Sequence, residues 1–271
     1  MSKITFDEDS LKMIIHLYTV QHMSVLKISN FYSVNPSVIT RVLKENNITI
    51  RNNNCYKSKR VDENFFHVID TQEKAYILGF FFADGCLTKK GTFGIKIKDK
   101  DLLERIKNEL KSNHKIIECK PNKGSYSQED SIYYGLYFTN KQIEKDLKEL
   151  GVNSNKTTTC SFPIIPKELE RHFIRGFFDG DGSVYKTYSK KYNYKAICVS
   201  FVGTWEMLTE IRNRLKEITG SKSELYKSKS IYDYKIGGIN QCEKLYHYLY
   251  DDATIFLGRK KNVFEEFYEQ G

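Results

Sequence analysis

The sequence predicts an α+β protein with two pseudo-symmetric αββαββα repeats, preceded by a small all-α domain. A nine-residue motif occurs twice, as ILGFFFADG at residues 77–85 and as IRGFFDGDG at residues 174–182. Each copy is followed by the same order of strand-like and helix-like segments, whereas the first fifty residues carry only helical patterning. Such an order of elements is typical of an internal duplication.

Composition and charge narrow the range of functions. The 271 residues have room for one large or two ordinary domains, and 40% hydrophobic residues suffice for a packed core. A net charge of +9 favours a polyanionic partner, either nucleic acid or an anionic membrane surface. No apolar run approaches the roughly 20 residues that span a bilayer, and no signal-peptide pattern is present. We therefore expect a soluble, cytoplasmic protein with no membrane partner.

The cysteines and histidines argue against several kinds of catalytic site. The six cysteines are at least 31 residues apart, and the six histidines show no H-x-x-x-H spacing. A zinc knuckle and a redox pair both need a C-x-x-C or a similar spacing. The sequence therefore supports neither zinc catalysis nor a Cys–His dyad.

Residues 1–50 predict a helix-turn-helix domain. The pattern SLKMIIHLYTVQ predicts a helix over residues 10–21, with Ser10 or Asp9 as its N-cap. A second helix follows Ser24, and a third begins at Pro36 after the N-cap Asn35. Two short helices joined by a turn and supported by a third form the helix-turn-helix pattern.

The third helix is the candidate for reading a DNA groove, with Thr40, Arg41 and Lys44 on its outer face. Residues 24–60 contain seven Lys or Arg and one acid, which favours DNA over the alternative of a three-helix protein-binding module. Residues 51–69 form a basic linker, in which Arg51 is a candidate phosphate contact. A solvated tether is the alternative for this linker.

The two repeats cover residues 70–165 and 166–271. Alternation in the first repeat predicts a strand with Phe93, Ile95 and Ile97 on one face and two lysines on the other. The motif of each repeat predicts an apolar helix with two small residues four positions apart. These pairs, Gly79 with Ala83 and Gly176 with Gly180, allow a second helix backbone to approach closely.

An aspartate ends each of these apolar helices. The carbonyl groups at a helix C-terminus carry partial negative charge, so Asp84 and Asp181 are unfavourable there unless a cation is bound. If the two helices pack together, the two carboxylates meet and a divalent cation relieves their repulsion. All-oxygen ligation favours Mg²⁺ or Ca²⁺. The alternative is that each Asp-Gly pair forms only a turn.

Basic, partly aromatic strands follow each motif without any acid among them. A two-stranded ribbon fits the DNA major groove, where lysines contact phosphates or base edges. A solvated, charged sheet face is the alternative, although such a face normally mixes both signs. The candidate DNA-contacting residues are Lys89, Lys90, Lys96, Lys98, Lys186, Lys190, Lys191, Tyr192 and Lys195.

The two motifs resemble the paired LAGLIDADG motifs of single-chain homing endonucleases, and the likeness covers about residues 70–271. The resemblance implies a monomer, packed through its LAGLIDADG helices, that makes a staggered double-strand cut at a long DNA site. It also implies that Asp84 and Asp181 are catalytic metal ligands, assisted by the carbonyl groups of Ala83 and Gly180. Mg²⁺ is the implied cofactor, with Mn²⁺ or Ca²⁺ as substitutes.

The resemblance further implies a basic residue late in each repeat that stabilises charge at the cut phosphate. Lys156 in GVNSNKT and Lys260 in LGRKKNVF are the candidates, with Arg259 as the alternative in the second repeat. The first motif has Phe82 where the second has Asp179, so we expect the two halves to be unequal.

The helix-turn-helix resembles domains that accompany such enzymes in phage and bacterial introns or inteins, which implies a nucleoid-associated location. Two alternative functions stay open on the same fold. One is a maturase that binds structured intron RNA, and the other is a DNA-binding regulator that does not cleave. Both acids are present, whereas loss of one or both is the usual sign of a regulator.

Overall fold

The structure is a computed structural model, and it describes residues 4–21, 23–50, 60–88, 91–119, 132–152, 160–190 and 194–269. The chain divides into two compact units, residues 1–58 and residues 59–271. Among the residues described, no helix is long and apolar enough to span a membrane.

In the described part of the first unit, residues 4–21 and 23–50, there are three helices: α1 (Glu8–Thr19), α2 (Val25–Phe31) and α3 (Pro36–Glu45). The predicted N-cap of α1 is wrong: the carboxylate of Asp7 accepts a hydrogen bond from the Ser10 N–H at 2.8 Å, so the helix begins earlier. The side chains of Ser24 and Asn35 cap α2 and α3 as predicted. The buried hydrophobic residues described in this unit are Ile14, Leu17, Tyr18, Ile28, Ile39, Val42 and Leu43.

The second unit contains the two predicted αββαββα repeats, so the predicted fold class is confirmed. The first consists of α4 (Gln72–Asp84), β1 (Gly85–Leu87), β2 (Thr92–Ile97), α5 (Lys100–Glu109), β3 (Ile117–Cys119), β4 (Tyr133–Thr139) and α6 (Lys141–Glu149). The second consists of α7 (Glu170–Asp181), β5 (Ser183–Ser189), β6 (Tyr194–Gly203), α8 (Trp205–Thr219), β7 (Leu225–Ser228), β8 (Ile231–Gly237) and α9 (Ile239–Tyr250).

A further helix, α10 (Gly258–Glu269), follows the second repeat and was not predicted. Each repeat folds into a four-stranded antiparallel sheet, with strand order β1-β2-β4-β3 in the first and β5-β6-β8-β7 in the second. One continuous core includes residues of both repeats. The alternation predicted for β2 is observed, because Phe93, Ile95 and Ile97 are buried while Lys96 is only partly buried.

Helices α4 and α7 pack backbone against backbone at their glycines. A Cβ atom on Gly79 would lie 2.0 Å from the carbonyl oxygen of Phe173, and one on Gly176 would lie 2.0 Å from that of Tyr76. Both contacts join equivalent positions of the two motifs, as a pseudo-twofold axis requires. Since real Cβ atoms do not approach other atoms this closely, only glycine fits at these two positions.

The two helices also end in the same way. The N–H of Gly85 donates to the carbonyl of Phe81, and the N–H of Gly182 donates to that of Phe178 at 2.8 Å. Each following strand starts directly at this cap. The end of each helix is therefore fixed both to its partner helix and to the sheet of its own repeat.

We predict that Gly176→Ala lowers the free energy of unfolding by about 3 kcal/mol, because the added methyl meets a backbone carbonyl that cannot move aside. Gly258→Ala is the matched control, since its Cβ would have nothing within 4 Å and alanine favours a helix. Urea unfolding measures both variants. Equal stability of the two variants would contradict this account of the helix pair.

Candidate metal centre and nucleic-acid interface

Asp84 and Asp181 are the last residues of α4 and α7, and both are exposed. The helix pair brings these ends together: a Cβ on Gly180 would lie 2.3 Å from the Ala83 Cβ and 3.4 Å from the Asp84 backbone nitrogen. The Nζ of Lys260 lies 3.5 Å from the carbonyl oxygen of Gly180 and 2.5 Å from that of Gly182, the residues on either side of Asp181. Two acids and one ammonium group therefore lie in one small region at the pseudo-twofold axis.

Lys260 caps the C-terminal end of α7. Its Nζ donates to the carbonyl oxygens of Phe178 at 2.6 Å, Asp179 at 2.8 Å and Gly182 at 2.5 Å, and it also lies 3.5 Å from the carbonyl oxygen of Gly180. These three hydrogen bonds use the three N–H groups of the ammonium, whose charge offsets the partial negative charge of the helix end. The residue is 5% exposed, and burial lowers its pKa to about 8.

Asp179 is a buried acceptor between α7 and the segment before α10. Its carboxylate accepts hydrogen bonds from Tyr76 Oη at 2.9 Å, Tyr250 Oη at 3.0 Å and the Leu257 N–H at 2.7 Å. Burial raises its pKa to about 6, while these hydrogen bonds and Lys260 act in the opposite direction. In the first repeat the equivalent residue is Phe82, whose ring packs edge-on against that of Phe173 with 5.3 Å between the ring centroids. The buried carboxylate is therefore present at this motif position in the second repeat and absent from it in the first.

Arg175, one helical turn before Asp179, holds the same segment. Its side chain is fully buried and donates to the carbonyl oxygens of Leu249 and Ile255, each at 3.0 Å. Its guanidinium lies 5.3 Å from the centroid of the Tyr76 ring. Sequence reasoning missed this role, although two charged residues four apart in an apolar helix are a signal for a buried polar contact.

The donors at the paired helix ends suit a hard divalent cation. Within the described residues, no group of three or more His, Cys, Asp or Glu side chains is placed to hold a metal ion. The available donors are two carboxylates with nearby backbone carbonyls, which matches Mg²⁺, an ion that keeps several waters and uses few protein ligands. The residues present therefore fit the predicted ion.

The exposed face of the first sheet carries a cationic and aromatic group. The Nζ atoms of Lys96 and Lys98 each lie 5.3 Å from the centroid of the Tyr133 ring. Ring contacts of this kind hold an ammonium group in place without neutralising its charge. The predicted contacts Lys89 and Lys90 lie outside the described residues.

Two of the predicted DNA-contacting lysines of the second sheet lie on its helix-facing side. Alternation along β5 and β6 puts Lys186 and Lys195 on the side of the sheet that faces α10, where Lys186 Nζ lies 3.0 Å from the Glu266 carboxylate. The opposite face carries the exposed Tyr185 and also Lys235, which pairs with Asp233 at 2.9 Å. Lys190 is exposed in the turn, and Lys191 and Tyr192 lie outside the described residues.

In the first unit, some of the predicted groove-reading side chains are engaged locally. The Thr40 hydroxyl donates to the Pro36 carbonyl at 3.0 Å, and Arg41 Nη2 donates to the Ile4 carbonyl at 2.6 Å. Lys44 is exposed. Arg51 and Lys156, the remaining predicted site residues, lie outside the described part of the chain.

Two glycine-faced helices that end in acids, each followed by an antiparallel sheet, define a duplicated α+β domain. Residues 168–247 match the family model of the LAGLIDADG-like domain. The second repeat is therefore a LAGLIDADG-like domain, which confirms the resemblance seen in its motif.

Three further proteins are similar to this chain at 15% to 26% sequence identity. The uncharacterized protein MJ0314 of Methanocaldococcus jannaschii is 26% identical over 204 residues, which cover 71% of each chain. The I-LtrWI LAGLIDADG homing endonuclease, solved bound to target DNA, is 15% identical over 73% of this chain and 90% of its own, with a TM-score of 0.49. "Full-length DUF199/WhiA from Thermatoga maritima" is 15% identical over 78% of this chain and 65% of its own, with a TM-score of 0.45.

We predict a pH-dependent stability difference between the wild type and Asp179→Asn. The folded-state pKa of Asp179, about 6, lies above its ordinary value of 3.8, so folding favours the protonated acid. This stabilisation is fully present below about pH 3.8 and is lost as the pH rises through about 6, a change of about 3 kcal/mol.

The asparagine variant does not titrate at this position. The difference between the unfolding free energies of the two proteins should therefore change between pH 4 and 6 and be constant above that range. Urea unfolding at several pH values tests this. Parallel pH curves for the two proteins would show that the pKa of Asp179 is not raised.

Proposed function

We propose that this protein is a site-specific endonuclease that cuts both strands of double-stranded DNA with the help of a divalent cation. The observation that carries the proposal is the juxtaposition of Asp84 and Asp181 at the ends of two helices packed backbone to backbone. One acid from each repeat at a pseudo-twofold axis suits a substrate with two antiparallel strands. The LAGLIDADG-like domain in the second repeat supports this reading.

Double-stranded DNA is the proposed partner because the sheets and the overall charge suit it. The protein carries a formal net charge of +9, and the exposed face of the first sheet holds Lys96 and Lys98 on an aromatic ring. Lysines on such a face contact phosphates or base edges. The contacts of the second sheet would come from the face of Tyr185 and Lys235, while Lys186 and Lys195 would contact DNA only near the strand ends.

Asp84 and Asp181, with the carbonyl groups of Ala83 and Gly180, would hold Mg²⁺, for which Mn²⁺ or Ca²⁺ could substitute. When bound, the ion supplies an activated water and stabilises negative charge on the attacked phosphodiester. The chain itself contributes rigidity, since the glycine contacts and the Gly85 and Gly182 caps fix the direction of both helix ends. Fixed acids need no rearrangement during the reaction.

Lys260 is the proposed basic residue beside the acid of the second repeat. Its three carbonyl hydrogen bonds hold the end of α7, and its charge lies near both acids. A direct contact of Lys260 or Lys156 with the cut phosphate stays a prediction. The first unit is proposed to bind DNA through α3, with Lys44 as its exposed cation.

We predict that Asp84→Asn and Asp181→Asn each lower double-strand cleavage at least about 100-fold, because each removes a ligand of the catalytic ion. DNA binding should be retained. The measurement is cleavage of a plasmid library by purified protein with Mg²⁺ or EDTA, followed by sequencing of the ends. Asp251→Asn is the matched control, since Asp251 is an exposed acid at the end of α9.

Metal-dependent cuts at one long site, lost in both variants and kept in the control, are the expected result. Cleavage by the double variant Asp84→Asn/Asp181→Asn at the wild-type rate would refute the proposed centre. An absence of cleavage combined with tight binding to structured RNA would favour the maturase function instead.

We also predict that deleting residues 1–50 weakens DNA binding and lowers its salt dependence without abolishing cleavage. The deleted unit folds around its own core, and it would contribute phosphate contacts but no metal ligand. Fluorescence anisotropy with a labelled duplex at several salt concentrations measures the effect. Unchanged affinity would mean that this unit binds something other than DNA.

A further inference from the structure

We propose that a cationic cleft between the two repeats binds one backbone phosphate of the DNA; this inference rests on the proposed function. The cleft has a volume of about 520 Å³ and lies where β2 ends, α5 begins and the chain enters α10. Lys98 and Arg259 were singled out separately in the sequence, but no local pattern joins them, because the two walls of the cleft are about 160 residues apart. The charged residues that line it are Lys98, Asp99, Lys100, Asp101, Arg105 and Arg259.

The charges in this cleft leave an excess of positive charge. Four cations face two acids, and Arg259 Nε lies 3.1 Å from the Asp99 carboxylate, so one acid is already neutralised. The Lys100 ammonium lies 5.4 Å from the centroid of the Tyr134 ring and 3.9 Å from the Glu104 carboxylate, an exposed pair that offsets part of its charge. A divalent or monovalent oxyanion is therefore the complementary ligand.

The N-terminus of α5 adds to the positive electrostatic potential of the cleft. Asp99 is in the N-cap position, but its side chain makes no capping hydrogen bond and pairs instead with Arg259. The first N–H groups of α5 are thus not capped by this side chain, and helix N-termini attract phosphate oxygens. Gly258, the first residue of α10, lines the same cleft.

The cleft is close to the proposed centre, and the corresponding place in the second repeat has a different lining. Arg259 directly precedes Lys260, whose ammonium caps the end of α7. The corresponding place of the second repeat, at the end of β6 and the start of α8, holds a cavity of about 370 Å³. Among the residues described, that cavity is lined mainly by apolar side chains such as Phe177, Val202 and Met207, with Asp181 as its acid. The two halves would therefore hold the DNA backbone unequally.

The experiment measures how binding of a 30-bp duplex depends on salt, by fluorescence anisotropy with the full-length protein in Ca²⁺. Lys100→Ala and Arg105→Ala should each weaken binding several-fold at 100 mM salt. The double variant should lower the slope of log K against log salt by about 0.9, the value for one phosphate. The control Lys216→Ala, an exposed lysine on the corresponding helix α8, removes the same charge and should leave the slope unchanged.

Asp101→Asn provides a test in which the expected result is tighter binding, whereas unfolding of a variant would only weaken binding. Removing this acid from the cleft should tighten duplex binding several-fold, because the positive charge around the phosphate increases. Weaker or unchanged binding by this variant, together with unchanged slopes for the lysine and arginine variants, would overturn the proposal.

Lys96→Ala, on the exposed sheet face, separates this inference from the proposed function. If wild type binds the duplex and Lys96→Ala weakens binding while the cleft variants do not, the cleft proposal fails and DNA binding stands. If wild type binds no duplex, both fail. Titration of the protein with pyrophosphate distinguishes a DNA phosphate from a free phosphate compound. If the wild type binds pyrophosphate and the cleft variants do not, while all of them bind the duplex equally well, the cleft binds a free phosphate compound and the backbone assignment is overturned.

Discussion

The close packing of α4 on α7 is the constraint on which the rest of the second unit depends. Gly79 and Gly176 allow each helix backbone to contact a carbonyl group of the other, which leaves no space for a side chain. Because the contact is made by backbone atoms, the distance between the helices does not depend on side-chain rotamers. The two helix ends, the acids they carry and the sheets that follow them are all positioned by this one contact.

A second constraint is the burial of charge on one side of this helix pair. Arg175, Asp179 and Lys260 are each at most 5% exposed, and their hydrogen bonds tie α7 to the segment that leads into α10. Buried charges are costly unless hydrogen bonds satisfy them, and most donors of this network are satisfied, although the buried Arg175 Nη2 has no hydrogen-bond partner among the described residues. This network fixes Lys260 at the end of α7, and the apolar Phe82 leaves the first repeat without an equivalent. The inequality of the two halves is thus a consequence of packing at one motif position.

Several features could be read from particular residues. The spacing of Gly79 with Ala83 and of Gly176 with Gly180 indicated close helix packing, and alternation around Phe93 indicated the buried face of β2. These predictions worked because they depend on local periodicity. The charge count around Lys186 and Lys195 did not indicate where these lysines lie, because a count of charges in a strand ignores which face each residue occupies. Helix α10 was not predicted. The side chain of Lys260, near its start, binds carbonyl groups of Phe178 and Gly182, which lie about 80 positions earlier in the sequence.

By itself, the sequence determined the duplication, the order of elements and the two acids at the helix ends, because all of these are encoded in short motifs and their periods. Only the tertiary structure decided that Lys260 is buried with its three donors on carbonyl groups, and that Asp179 and Arg175 anchor the segment before α10. It alone also brought Arg259 to Asp99. The physical reason is that these contacts join residues about 70 to 160 positions apart, whose distances are fixed by packing of the whole core and not by any local pattern.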